Sequence, residues 1–309
     1  MSIFVGIRKC LPIIIFLAII MTSGCLHKGA VSDINSGLPG QPYSETLILD
    51  NISPGFYENM SAMLAGDSVI ESGEQVIIVN SLINLNNHSL IFREGSIGII
   101  RNSVIANSSE EYRDGYVSRH PEEMEEIMQG EKGWGIKPSA GLAVETDNFV
   151  IDSSVIENSY GHGIYFYYAE NPNVTNCRFI NNAWSALRSE GSWGIYFANN
   201  TLEGNTWQNP GRVAFAQLDV DAGGNFTFLN NTISSKTVTE GAACFYGQKG
   251  MLIEGNDLDD SILLDKCHNC IITGNSAKEI SLFGCGNITK YNNTGMILET
   301  EESGPEAWS

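Results

Sequence analysis

Apolar and polar residues alternate with a period of two through most of the chain. In Ile164-Tyr-Phe-Tyr, Leu187-Arg-Ser-Glu, Leu218-Asp-Val-Asp, Ala243-Cys-Phe-Tyr, Ile262-Leu-Leu-Asp and Ile280-Ser-Leu-Phe, the first and third residues share one face and the second and fourth the other. Shorter runs do the same, with Ile97/Ile99, Ile195/Phe197, Phe226/Phe228 and Met251/Ile253 as their apolar pairs. A period of two predicts short strands that bury one row of side chains and expose the next.

The strands recur with a longer period. Asn80-Ser-Leu-Ile, Asn102-Ser-Val-Ile, Ser153-Ser-Val-Ile, Cys177-Arg-Phe-Ile, Asn200-Thr-Leu-Glu, Asn231-Thr-Ile-Ser and Asn256-Asp-Leu-Asp share one frame, with weaker copies at Asn275 and Asn293. The intervals are 22, 51, 24, 23, 31, 25, 19 and 18 residues, so 51 and 31 mark coils carrying insertions. Such self-similarity predicts stacked repeats, two or three short strands per coil, coils about 4.8 Å apart, and Asn side chains bonded along the axis. The sequence over roughly residues 70 to 298 resembles the right-handed parallel β-helix superfamily of pectate-lyase-like proteins. The implied fold is all-β, a solenoid of about eight to nine coils.

This frame divides the chain as follows: residues 1–25 a signal peptide, 26–45 a flexible tether, 46–79 an N-terminal cap and first strands, 80–298 the solenoid with insertions at 108–139 and 206–212, and 299–309 a polar tail. The first insertion contains Glu122-Glu-Met-Glu-Glu-Ile-Met, read as a short acidic helix. Arg8 and Lys9 before the apolar run Leu11–Met21 form an export signal, too short to span a bilayer comfortably. Thr22-Ser-Gly-Cys25 is similar to a lipoprotein processing box, although Thr22 stands where such boxes usually carry Leu; Cys25 is the expected lipidation site, and the alternative is an ordinary secretory signal. The predicted location is the outer face of the cytoplasmic membrane or the cell surface, with the lipid as membrane contact. Ten Asn-X-Ser/Thr sites, at Asn51, Asn59, Asn87, Asn107, Asn173, Asn199, Asn225, Asn230, Asn287 and Asn292, fit an exported glycoprotein, though a repeat that favours Asn and Thr also generates such sites without any glycan.

Thirty-six acidic residues against 17 basic ones set a net charge of −19. No basic stripe exists to neutralise phosphates, so nucleic acid is excluded as a partner. The outward positions of successive coils concentrate candidate chemistry: Tyr165/Tyr167, Arg188/Glu190, Asp219/Asp221 and Cys244/Tyr246, with His162 and Gln217 just upstream in their coils and Trp207 in the second insertion. Stacking predicts Arg188 beside Asp219 and Glu190 beside Asp221. Arg188, Glu190, Asp219, Asp221 and His162 are the candidate catalytic residues; Tyr165, Tyr167, Gln217, Tyr246 and Trp207 are the candidate substrate contacts. Carboxylates can act as acid and base, and aromatic faces stack on sugar rings. By resemblance to pectate-lyase-like enzymes, Ca²⁺ would sit on Glu190, Asp219 and Asp221 while Arg188 takes the proton beside a uronate carboxylate. The competing reading is a row of solvated charge pairs, as any acidic solenoid would carry. Tyr160-Gly-His-Gly-Ile164 is similar to a stretch of polygalacturonase-type hydrolases, but the Asp pair and Arg-X-Lys of those enzymes are missing in the right order.

Cys267 and Cys285 lie 18 residues apart, one coil, and are the expected disulfide; a metal site from Cys267, His268, Cys270 and Cys285 is the alternative. No Gly-X-Ser-X-Gly elbow or phosphate-binding Gly loop occurs. The functional expectation is a monomeric, surface-anchored protein that binds, and in one version cleaves or epimerises, a polysaccharide or cell-envelope glycan. The alternatives are a non-catalytic adhesion rod and, behind it, a metal-delivery accessory protein, which the low Met and His content disfavours.

Overall fold

A computed structural model of the chain describes residues 45–109, 141–207, 216–234 and 241–301. The signal peptide, Cys25, nearly all of the tether, the acidic-helix segment of the first insertion, most of the second insertion and the end of the tail lie outside these residues. Among the described residues no helix occurs, and every strand pairing between coils is parallel.

Each coil contributes a leading, a middle and a trailing strand. One coil runs Ile164–Tyr167, Asn173–Thr175, Arg178–Ile180; the next runs Leu187–Glu190, Tyr196–Ala198, Thr201–Glu203. Like strands pair with like in the next coil, so three columns rise along one axis. The middle column is a 10-stranded sheet; near the C-terminal end Ser276–Phe283 and Thr294–Thr300 run from the trailing column into the leading one, joining those two as a 19-stranded sheet. This is the expected parallel β-solenoid of about nine turns. Its first rungs begin early: Gly55–Glu58 and Ser61–Leu64, in the segment read as cap and first strands, already pair within the middle and trailing columns.

The columns face a continuous core. Phe179, Phe197, Phe228 and Phe245 sit one coil apart along the axis with ring centroids 5.8, 6.1 and 5.9 Å apart, every one fully buried. At the corner between middle and trailing strands a polar stack replaces it. The Asn200 N–H donates to Asn231 Oδ1 (2.8 Å), Asn231 N–H to Asn256 Oδ1 (2.8 Å), Asn256 N–H to Asn275 Oδ1 (3.0 Å) and Asn275 N–H to Asn293 Oδ1 (3.0 Å). Toward the N-terminus the same row holds Ser81, Ser103, Ser154 and Cys177.

That row corrects the repeat frame. The pairing Leu82–Val104–Val155–Arg178–Thr201 places Ser81, Ser103 and Ser154 with Cys177 and Asn200, so the frame set on Asn80, Asn102 and Ser153 is one residue early. Two rows favour Asn side by side, which is why the slip went unseen. One is the buried stack; the other, one residue before it, holds φ near +50° at Asn80, Asn102, Ser153, Asn176, Asn199 and Asn230. Asn tolerates the left-handed region better than other residues with a Cβ. Of the 22 non-glycine residues with positive φ among the described residues, 17 are Asn. Eight of the ten Asn-X-Ser/Thr sites fall on such corners, Asn51 and Asn173 being the exceptions, so the backbone accounts for most of these sites without a glycan.

A one-residue slip in a strand reverses its faces. In the strand Ile97–Arg101 the inward residues are therefore Gly98 and Ile100, and Ile97 is half exposed, opposite to the sequence reading of Ile97/Ile99. Gly98 leaves room for Phe149: a Cβ there would enter the Phe149 ring and come 2.8 Å from Phe92 Cδ1. Gly98→Ala is expected to destabilise the fold by about 1–3 kcal/mol through this overlap, read from the urea midpoint; an unchanged midpoint would mean that Phe149 is free to move aside.

Candidate functional site

The leading column presents two outward rows, in the register expected from the sequence. In the first, Tyr165 pairs with Arg188, Arg188 with Asp219 and Asp219 with Cys244; in the second, Tyr167 pairs with Glu190, Glu190 with Asp221 and Asp221 with Tyr246. In-register parallel strands hold these neighbours about 4.8 Å apart in backbone, so side-chain identity alone decides what meets.

Arg188 lies at the centre. Its guanidinium donates to Asp219 Oδ2 at 2.7 Å and reaches Asp221 Oδ2 at 3.6 Å. Burial works against its charge, but Asp219, Tyr165, Asp221 and Glu190 outweigh that and hold Arg188 protonated beyond the ordinary arginine range. Asp219 is 5% exposed. Burial lifts its carboxyl above the usual range against the pull of Arg188, and its Oδ1 has no hydrogen-bond partner among the described residues. Asp221 is more open; burial first, then Asp219 and Glu190, raise its carboxyl despite Arg188. The Tyr165 hydroxyl donates to Glu190 Oε2 at 2.6 Å. Tyr165 and Tyr167 meet edge to face, centroids 6.1 Å apart, and burial together with Glu190 raises the Tyr167 phenol.

The second row also continues toward the N-terminus, where Arg93 pairs with Glu145 below Tyr167. Arg93 escaped the sequence reading because the early frame was slipped, and Glu145 because its coil is one residue shorter between the leading strand and the buried row. The signal was present: counted from Ser103 instead of Asn102, Arg93 takes the offset that Tyr167 and Glu190 have in their coils. Two exposed aromatics were passed over as well. Tyr168 lies over Gly191, where a Cβ would come 2.5–2.8 Å from its ring, and Trp193 lies over Gly224, where a Cβ would come 2.7–3.0 Å from its ring. Tyr168 is 63% and Trp193 42% exposed, and Tyr168 meets Tyr167 edge to face at 4.7 Å.

Other candidates sit elsewhere. His162 is buried, with centroids 5.2 Å from Trp184 and 5.9 Å from Tyr165; burial and the Arg188 charge push its pKa well below the ordinary value. Its ring is packed against Trp184 and Tyr165 and is not displayed on the outward rows. Gln217 is fully buried: Asn205 Nδ2 donates to its Oε1 (2.8 Å), its own amide donates to Ser234 O (3.2 Å), and it thus ends a second polar stack, through Asn182 and Asn205. Trp207 is exposed on the corner after the trailing strand Thr201–Glu203, its Nε1 donating to Asn181 O at 2.8 Å, off the leading face. Tyr246 is in the second row as expected.

The Ca²⁺ expectation does not fit the side chains. Asp219 Oδ2 is committed to Arg188 and Glu190 Oε2 to Tyr165, and among the described residues no three His, Cys, Asp or Glu groups converge to hold a metal ion. Arg188, clamped between two carboxylates and held protonated, is equally unsuited to take a proton. Cys267 and Cys285 stack one coil apart as expected, but both are thiols in the structure rather than a disulfide.

Residues 65–216 match the family model of the right handed beta helix region. The described part of this stretch is a parallel β-solenoid similar to the right-handed β-helices of that family. It holds Tyr165, Tyr167, Arg188 and Glu190, whereas Asp219, Asp221 and Tyr246 lie on coils that extend the β-helix beyond the matched residues. Solved structures similar to part of the chain include a putative glycosyl hydrolase from Parabacteroides merdae ATCC 43184 (12% identity, 62% of this chain and 82% of that one, TM-score 0.30). Others are PfbA, a surface adhesin of Streptococcus pneumoniae (12%, 79% and 82%, TM-score 0.43), and the Dettilon tailspike protein (11%, 83% and 61%, TM-score 0.44). At such identities a likeness extends to fold alone. No curated protein matches the chain in sequence.

Proposed function

We propose that the leading face binds a polysaccharide lying along the solenoid axis, and that Asp221 and Glu190 form the acid and base pair that hydrolyses it. One observation carries the binding reading: the exposed rings of Tyr168 and Trp193 are held over Gly191 and Gly224 beside the outward rows of the leading face. Rings held in this way offer preset apolar area to sugar rings. Tyr165, Tyr167 and Tyr246 add ring faces along the rows, and Arg93 to Asp265 spans about 30 Å at ~4.8 Å per coil.

Asp221 supports hydrolysis over binding alone. Its carboxyl titrates above the usual range, as a proton donor requires, and Glu190, its neighbour in the preceding coil, accepts a hydrogen bond from the Tyr165 hydroxyl alone among the described residues. Arg188 orients both Asp219 and Asp221. With the Leu11–Met21 run and Cys25, the sequence supports an exported protein held at a membrane by a lipid.

The test is full-length protein against a panel of uronate-rich and neutral polysaccharides, read by gel retardation and by new reducing ends. At least one glycan is expected to retard the protein, and Asp221→Asn to lower hydrolysis by about 10²–10⁴-fold while retardation persists. Retardation without reducing ends would leave binding and remove the hydrolysis. Silence in both would overturn the proposal in favour of an adhesion rod.

A further inference from the structure

The C-terminal end of the solenoid holds a second cluster with chemistry of its own. His268 pairs with Gly286, which puts the preceding residues, Cys267 and Cys285, directly over one another on adjacent coils. The Gly286 N–H bonds Cys267 O at 3.0 Å, fixing that registry. Both side chains turn toward the axis: Cys267 Sγ faces Phe245 O at 3.3 Å, and Cys285 Sγ faces Leu264 O at 3.5 Å. Adjacent, in-register parallel strands give a Cα separation of about 4.8 Å, inside the range a disulfide spans.

The two thiols differ in access. Cys267 is fully buried, whereas Cys285 is partly exposed and lines a cavity of about 370 Å³ with Leu282, Ile288, Glu299, Thr300 and Glu301. The neighbouring Cys267 thiol lowers that of Cys285, and Cys285 in turn raises that of Cys267. Cys285, the one of the two that solvent reaches, is therefore the thiol that a reagent meets first. Cys270 is buried, pairs in register with Ile288 instead, and its thiol donates to His268 O at 3.3 Å.

We propose that Cys285 and Cys267 are an exchange-active pair, in which Cys285 is the entry thiol for a small-molecule disulfide and Cys267 the resolving thiol. The Cys285 thiolate attacks one sulfur of the disulfide RSSR, the S–S bond breaks, and RS⁻ leaves with Cys285 as a mixed disulfide. Cys267 then gives up its proton to solvent and attacks Cys285 Sγ, expelling the second RS⁻. Overall two cysteine thiols are oxidised to one disulfide and RSSR is reduced to two RSH. The product ties the last coil to the one before it. That coil needs a tie, because all seven residues of Thr294–Thr300 are exposed and, among the described residues, nothing pairs with its outer edge.

Full-length protein incubated with oxidised glutathione at pH 8, acid-quenched, alkylated and digested tests this by mass spectrometry. The expected result is a Cys267–Cys285 linked peptide lighter by two hydrogens, loss of two free thiols, and Cys177, Cys244 and Cys270 alkylated only after denaturation. Cys267→Ser should stop at a glutathione adduct on Cys285, and Cys285→Ser should leave Cys267 unmodified. The proposal is overturned if both thiols of the unaltered chain survive oxidation, if Cys285 links to any other cysteine, or if Cys267→Ser yields no adduct.

Discussion

Arg188→Met is expected to destabilise the protein by about 3–5 kcal/mol at neutral pH, the usual cost of removing one partner from a buried ion pair. The substitution keeps the aliphatic volume but leaves Asp219, 5% exposed, without the guanidinium 2.7 Å away. Most of that loss is the stranded carboxylate, so Arg188→Met/Asp219→Asn should recover the larger part of it. Acid should also recover part, since protonation removes the charge. In the unaltered chain the sign is related. Asp219 and Asp221 have folded-state values raised above the ordinary carboxylate range, so the stability they contribute is full below about pH 4 and is lost as pH rises through the raised values. Urea titrations of the three chains between pH 4 and 8 decide the matter. A single variant within 1 kcal/mol of the parent, or a double variant no better than the single, would show that solvent already reaches Asp219.

Asn231→Leu should have an effect of similar size for a different reason. Asn231 Oδ1 accepts the buried Asn200 N–H at 2.8 Å, and its amide donates to Phe197 O and Asn256 Oδ1, each at 3.0 Å. Leucine has nearly the same shape and none of the partners, so one buried N–H is orphaned and two further bonds are lost, about 3–5 kcal/mol together. Asn293→Leu, at the partly buried end of the same stack, breaks as many bonds but leaves the freed groups nearer to water, and should cost about 1–2 kcal/mol. Chemical denaturation ranks the two, and hydrogen exchange at the Asn200 amide should quicken in Asn231→Leu alone. Equal losses would mean that the stack is uniform and the partners matter less than the volume.

The two predictions differ in how readable they were. The Arg188–Asp219 and Glu190–Asp221 neighbours follow from counting, because a solenoid places residues one coil apart side by side and the coil lengths from Tyr165 to Tyr246 are legible between Cys177, Asn200, Asn231 and Asn256. The Asn stack was likewise expected from Asn200 onward. Before Cys177 the buried row is Ser, and the Asn beside it belongs to the left-handed corner, so the count slipped by one. With that slip went the faces of Ile97–Arg101 and the place of Arg93 in the second row. His162 and Gln217 show a second kind of limit. Each is polar and close in sequence to the leading strand, and nothing in a period of two tells that their side chains turn under it.

The sequence by itself therefore determined the solenoid, its strand period, its coil lengths from Cys177 onward and which acidic and basic residues share a face. These are consequences of one-dimensional spacing in a fold that repeats along one axis. Only the tertiary structure decided that Arg188 is clamped rather than free, that Asp219 is buried while Asp221 is open, and that Cys285 rather than Cys267 is accessible. Those depend on what lies across the groove and above the coil, and burial sets both the cost of a charge and the reactivity of a thiol without leaving a mark in the spacing of the residues.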